Sequence, residues 1–116
     1  MINSRAIVQV YADKIGEFRF RFVCSDGEPR LRASEGYTAK INAFKGIESV
    51  VRNMSDDKRI DFKTNSRGKH IFTVKARNGN ILAMSRNQAE LDELEEDLTI
   101  IRAELKGAEV AEQPAE

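Results

Sequence analysis

The strand-and-turn pattern of this chain is written twice, and that constrains its fold more than anything else. Gly16 recurs as Gly68, Phe20 as Phe72, Phe22 as Val74, and Asp26-Gly27 as Asn78-Gly79, each fifty-two positions later. Self-similarity at a period of this length marks a repeated supersecondary unit. At 116 residues the chain is one domain of ordinary size.

In the first copy, Glu17-Phe-Arg-Phe-Arg-Phe-Val-Cys-Ser-Asp-Gly-Glu28 alternates apolar and basic residues and then turns at Asp26-Gly27. Alternation of this kind gives a strand with one buried face. The preceding run, Ala6 to Ala12, is β-branched and aromatic and also reads as a strand. Lys14-Ile15-Gly16 suits a three-residue hairpin loop with glycine in the left-handed position. That loop sets Val10 opposite Phe20 and Val8 opposite Phe22, all on one face. A two-residue turn at Asp26-Gly27, with positive φ, sets Phe22 opposite Leu31, Phe20 opposite Ala33 and Arg21 opposite Arg32. Arg19, Arg21, Arg30 and Arg32 then share the outer face.

Thr38 reads as the N-cap of a helix carrying Ile41, Phe44, Ile47, Val50, Val51 and Met54. Gly46 inside it costs roughly 1 kcal/mol against alanine, which implies close packing of the helix on the sheet. The second copy opens at Arg59-Ile-Asp-Phe62, turns at Ser66-Arg67-Gly68 and places His70, Phe72 and Val74 inward. After Asn78-Gly79, strict turn geometry points Ile81 and Ala83 inward, whereas aligning Leu82 with Leu31 requires a slip or a bulge. Asn87-Gln-Ala-Glu90 resembles a capping box and opens a helix with Leu91, Leu94, Leu98, Ile101 and Leu105 on one seam. Its acidic first half and basic end match the helix dipole. Residues 108–116, with Pro114, read as a disordered tail. The expected domain is therefore 1–107, made of repeats 6–54 and 59–107, after a short frayed lead-in. The expected fold class is α+β: two tandem β-β-β-α units forming one antiparallel sheet with helices packed on one face.

Several of these residues resemble the YegP-like family, small bacterial domains of unknown function that often occur as tandem repeats. The resemblance is carried by Gly16-Glu-Phe-Arg-Phe20, Asp26-Gly27, Ser34-Glu-Gly-Tyr37 and Gly46-Ile-Glu-Ser-Val50 with Asn53. It is good over 6–54, weaker over 59–86, and stops over 87–107, where neither Ser-Glu-x-Tyr nor Gly-Ile-x-Ser-Val appears. It implies β-β-β-α units joined into one antiparallel sheet. It implies no activity and no catalytic residues. The departure leaves open whether helix 87–107 packs on its own sheet or on another chain.

Nineteen Lys and Arg balance nineteen Asp and Glu, whereas a dedicated nucleic-acid binder is usually basic. One His and one Cys do not suffice for a structural zinc site, and no cofactor is expected. No apolar run reaches the length of a membrane span. The N-terminus lacks a signal pattern and the lone Cys24 suits a reducing compartment, so a cytoplasmic protein with no membrane partner is expected. No paired catalytic groups are visible. The leading expectation is a small non-enzymatic interaction module with an unnamed partner.

The candidate binding residues are Arg19, Arg21, Arg30, Arg32 and Tyr11, with Tyr11 placed beside Arg19 as a cation–π pair. The bland reading of this face is solvated arginines with local partners such as Gln9. The alternative is nucleic-acid or other polyanion binding, or self-association through the acidic helix 90–97 of another copy. His70 reads as a structural or rim residue, Cys24 as a buried inert thiol. The acidic run of the last helix reads as a solvated face, without the loop a calcium site uses.

Overall fold

The computed structural model describes residues 5–113. The elements in chain order are β1 (Ile7–Ala12), β2 (Phe18–Val23), β3 (Pro29–Ala33), α1 (Lys40–Asn53), β4 (Ile60–Thr64), β5 (His70–Lys75), β6 (Ile81–Ser85), α2 (Leu91–Glu104) and β7 (Glu109–Glu112). The fold is mixed α+β, a seven-stranded sheet in the order β4-β5-β6-β3-β2-β1-β7 with two helices. At its centre β3 pairs antiparallel with β6, Arg32 opposite Met84.

The first hairpin forms as the loop chemistry predicts. Gly16 has φ +84°, its N–H donates to the Asp13 carbonyl at 3.0 Å, and the Asp13 N–H donates to the Glu17 carbonyl at 2.8 Å. Val10 faces Phe20 and Val8 faces Phe22. The loop at 65–69 has the same bonds, with Gly68 at φ +77°. Among the described residues, no neighbouring atom lies within 4 Å of where a Cβ would stand at either glycine. Alanine at Gly16 or Gly68 therefore acts through backbone strain alone. Each replacement is expected to cost about 1–2 kcal/mol in urea unfolding, and unchanged midpoints for both would contradict this loop assignment.

The Asp26-Gly27 turn departs from expectation. Among the described residues only glycines have positive φ, so Asp26 does not. The loop is Ser25-Asp26-Gly27, closed by Cys24 N–H to Glu28 O at 3.0 Å and Gly27 N–H to Cys24 O at 2.8 Å. An extra loop residue would slip the strands by one. A bulge absorbs it: Val23 pairs with Pro29 but Phe22 with Leu31, leaving Arg30 unpaired between them. The predicted pairs Phe22–Leu31 and Arg21–Arg32 survive, but Arg30 turns to the same side as Leu31 and is buried. The same device operates in β6, where Lys75 pairs with Ile81 and Val74 with Ala83. Leu82 is the bulged residue there, packed against the core beside the fully buried Ala83, while Ile81 is exposed.

Phe20, Phe22, Phe72 and Val74 join Ala43, Ile47 and Val50 of α1 and Leu94 and Ile101 of α2 in one core cluster, so both helices cover the same sheet face. Neither helix starts where its sequence suggests. The N-cap of α1 is Ala39, with no side-chain bond, rather than Thr38. That of α2 is Glu90, in a capping box with Glu93, rather than Asn87. The expected close approach at Gly46 is made chiefly to Tyr37. A Cβ at Gly46 would stand 2.6 Å from the Tyr37 hydroxyl oxygen and 3.3 Å from the Phe20 ring. Despite its better helix propensity, Gly46→Ala is expected to lower stability by about 1–3 kcal/mol, the usual range for overpacking. A gain in thermal midpoint would show that Tyr37 moves aside freely.

The disordered tail expected over 108–116 is corrected by β7, which lies parallel to β1 with Val110 opposite Val8. An unpaired sheet edge supplies a row of backbone partners, and the chain uses it: Glu109 N–H donates to Ala6 O and Gln113 N–H to Val10 O. Such pairing needs no apolar pattern, which is why the polar tail sequence conceals it. The sheet is thus antiparallel except at this edge. Residues 1–4 of the lead-in and 114–116 of the tail lie outside the described residues. Among the described residues no helix is long and apolar enough to cross a membrane.

Candidate functional site

The sheet face away from the helices carries one continuous row of paired positions: Asp61, Thr73, Met84, Arg32, Arg21, Gln9 and Ala111. Arg21 and Arg32 are directly opposite, as the register predicts. Arg21 Nε donates to Gln9 Oε1, and its guanidinium lies 4.8 Å from the Tyr11 ring centroid. The cation over Tyr11 is therefore Arg21, not Arg19. Arg19 pairs across from Tyr11 on the backbone, but Asp13 draws its side chain away through an ion pair of 2.9 Å. Among the described residues, the Arg32 guanidinium has one hydrogen-bond partner, the Met84 sulfur at 3.5 Å. Among the described residues, neither Arg21 nor Arg32 has a carboxylate at ion-pair distance, in contrast to Arg19, Arg30 and Arg86. A groove of about 470 Å3 runs over this pair, lined by Tyr11, Arg21, Glu28, Pro29, Arg32 and Arg86 among others.

Arg30 does not belong to this face. The bulge sends it toward α2, where Nε donates to Asp97 Oδ1 at 3.0 Å. Its two Nη atoms clasp Asp26 at 2.7 and 2.8 Å. Arg86 holds Asp97 from the other side through Nε and Nη2, both at 3.0 Å, and reaches Glu28 at 2.8 Å. Gln88 adds a fourth donor to Asp97 at 2.8 Å. The Asp97 side chain is 4% exposed and that of Arg30 7%. Burial pushes the Asp97 carboxyl up, but the hydrogen bonds from Arg86, Gln88 and Arg30 outweigh it and hold it below its ordinary value. The acidic run of α2 is therefore not wholly a solvated face. A signal for this was present: Asp97 stands three residues after Leu94 and four before Ile101, on the helix's buried stripe.

Cys24 and His70 are the other residues the sequence singles out. Cys24 is buried, and burial pushes its thiol up, with Arg30 opposing only in part. His70 is half-buried, with Nδ1 3.1 Å from Thr64 Oγ1. Its backbone bridges to Gln88 as that of Phe18 bridges to Tyr37. Among the described residues no three His, Cys, Asp or Glu side chains are grouped to hold a metal ion.

Residues 13–61 match a family model described as a domain of unknown function, DUF1508. A UPF0339 protein from the 5' region of the ptx operon of Stutzerimonas stutzeri is 35% identical over 104 residues, 90% of this chain and 93% of that protein. The chain belongs to the UPF0339 family. The UPF0339 protein YegP of Escherichia coli is 38% identical over 87 residues, covering 75% of this chain and 78% of YegP. Its solution NMR structure, described as that of a protein of unknown function, matches with a TM-score of 0.87 at 30% identity over 97% of this chain and 96% of that one. A UPF0339 protein of Agrobacterium fabrum is 46% identical over 56 residues, which make up 48% of this chain but 89% of that protein. The YegP-like resemblance and the mixed α+β fold are thus established. None of these UPF0339 names assigns a reaction.

Proposed function

We propose that this UPF0339 chain is a tandem of two β-β-β-α units acting as a non-enzymatic binding module, and that the module takes an anionic group on its open sheet face at Arg21 and Arg32. The observation that carries the binding reading is selective neutralisation. Arg19, Arg30 and Arg86 each have an internal carboxylate, whereas Arg21 and Arg32 face each other without one among the described residues. Like charges directly across a strand pair repel, so an external anion that bridges them relieves a standing cost. The groove above them and the Tyr11 ring beside Arg21 give that anion a shaped, partly aromatic seat.

The two-unit reading is supported by the order of elements, by the bulge at Arg30 and again at Leu82, and by the matching bridges at Tyr37 and Gln88. The Agrobacterium fabrum relative, matched over most of its length by less than half of this chain, supports it as well. The reading also accounts for the divergence of the second helix. Gly46 and Asp97 are each the seventh residue of a 14-residue helix. One unit sets the Tyr37 ring on a glycine, and the other sets Gln88 and two guanidinium groups on a carboxylate. The lone buried thiol of Cys24 supports a reducing cytoplasm as the setting.

Titration with single-stranded oligonucleotides and a non-nucleic polyanion, across ionic strength, tests the anion reading. Two phosphates at the arginine pair correspond to a slope of log K against log salt of about −1.4 for a single strand. Arg21→Ala/Arg32→Ala is expected to abolish this binding while leaving the thermal midpoint unchanged or raised. Absence of binding by either polymer at low salt overturns the reading. Salt-sensitive self-association in its place would make the acidic helix of a second copy the partner.

A further inference from the structure

A second anion site, distinct from the sheet face, follows from comparing the two ends of the core. The turn at 24–28 and the turn at 76–80 have the same closure. Ala76 N–H donates to Asn80 O at 2.9 Å and Gly79 N–H to Ala76 O at 3.0 Å, as Cys24 and Gly27 do in the first turn. Gly27 and Gly79 have φ of +87° and +90°. The first turn is bonded to Glu104, the last residue of one 14-residue helix, and the second shares a cleft with Asn53, the last residue of the other.

What differs is the occupant of the gap. At the first turn the Glu104 carboxylate accepts from the Ser25 N–H at 2.7 Å and from Ser25 Oγ at 2.9 Å. It does so at a helix C-terminus, where the helix dipole opposes a negative charge. The donors of the turn therefore outweigh the dipole. At the second turn the helix ends in Asn53, whose amide turns back to the Ser49 carbonyl at 2.7 Å. Arg77 stands in the place of Ser25, and among the described residues its N–H has no side-chain acceptor like Glu104. The gap is a cleft of about 610 Å3, lined by Ser49, Arg52, Asn53, Asp56, Arg77 and Asn78 among others. That size suits a small organic ligand. Arg52 and Arg77 both line it, and neither is in an ion pair among the described residues. The one carboxylate on its rim among the described residues, Asp56, already accepts from the Lys58 N–H at 3.0 Å and faces Arg59 at 3.8 Å.

We propose that this cleft binds a carboxylate from outside the chain, which takes at the second turn the place Glu104 takes at the first. The carboxylate accepts from the Arg77 N–H, while Arg52 and Arg77 neutralise it. Its source is either a free organic acid or an acidic group of a peptide, and the shared chemistry is the carboxylate. Ser49, which carries part of the sequence resemblance at the end of α1, lines the same cleft, and its hydroxyl is free among the described residues to donate to the rest of the ligand while the Asn53 amide stays bonded to Ser49.

The test is an NMR titration of the backbone amides of the full chain with citrate, with a short Glu-rich peptide and with inorganic phosphate. Millimolar citrate or peptide is expected to shift the Arg77, Asn78 and Asn53 signals, and the tighter of the two identifies the source. Arg52→Ala and Arg77→Ala, both at surface positions, are each expected to weaken binding about tenfold, the scale of one charge-assisted bond. Asn53→Glu supplies the missing carboxylate from within. It is expected to abolish binding and leave the fold at least as stable. Arg21→Ala/Arg32→Ala is expected to leave this site intact, which separates it from the sheet-face reading. Shifts confined to the sheet face, unchanged affinity in both arginine variants, or phosphate binding more tightly than either carboxylate overturns the proposal.

Discussion

Asp97→Ala is expected to remove about 3–5 kcal/mol of unfolding free energy, the usual effect of deleting one partner of a buried ion pair. The cost arises from what is left behind. Arg30 keeps Asp26 but loses its buried partner, and the Gln88 amide loses its acceptor. Arg86, with a side chain 30% exposed, can turn to water. Arg30, at 7%, cannot. Replacing the pair together with apolar residues of similar size, Arg30→Met/Asp97→Leu, is expected to recover most of the loss, because the two desolvation penalties disappear with the charges. Urea unfolding of the three proteins decides it. A loss below about 1 kcal/mol for Asp97→Ala, the scale of a surface change, would show that the cluster is not a buried unit.

The same cluster sets an acid limit. The folded protein holds the Asp97 and Asp26 carboxyls below their ordinary values. Their contribution is therefore complete above about pH 4, the unfolded carboxylate value, and is lost as pH falls from there through the folded values. The stability gap between the native protein and Asp97→Asn is expected to narrow on acidification below about pH 4. A gap that stays constant down to acid unfolding would assign the low-pH loss to other groups.

Phe20→Ala is the second large effect, about 3–5 kcal/mol, the range for truncating a buried aromatic. Phe20 is 2% exposed, and its ring lies 6.4 Å from that of Tyr37 and against Gly46. Its loss opens a cavity where β2, α1 and the Tyr37 bridge meet. Phe62→Ala is the internal control. Phe62 also points from a strand, but from the edge strand β4, and is 47% exposed. It is expected to cost less than about 1 kcal/mol. Equal losses at the two sites would contradict the placement of the core over the centre of the sheet.

Local chemistry made the hairpins legible. Alternation of Phe18, Phe20 and Phe22 with arginines, together with a glycine at each loop end, specifies strand, face and register at once, because a one-residue slip would turn every phenylalanine to water. The Arg21–Arg32 pair is read correctly for that reason. Helix starts are less legible, since Thr38 and Asn87 are good caps in isolation. The bridges Phe18–Tyr37 and His70–Gln88 hold the chain extended past both, so each helix begins later.

Residue order alone thus determined the two sets of three strands, the inward stripes and the two helices, because each follows from contacts a few residues apart. Tertiary structure decided the rest. A bulge reconciles a three-residue loop with the hydrophobic register and moves Arg30 from the open face to the core. Asp97 becomes a buried acceptor because α2 docks where Arg30 and Arg86 converge. The polar tail becomes a strand because β1 leaves an edge for it. Arg30 and Asp97 meet across 67 residues of sequence, and the tail meets β1 across nearly the whole chain; a local pattern marks Asp97 as buried but does not record the partner it meets.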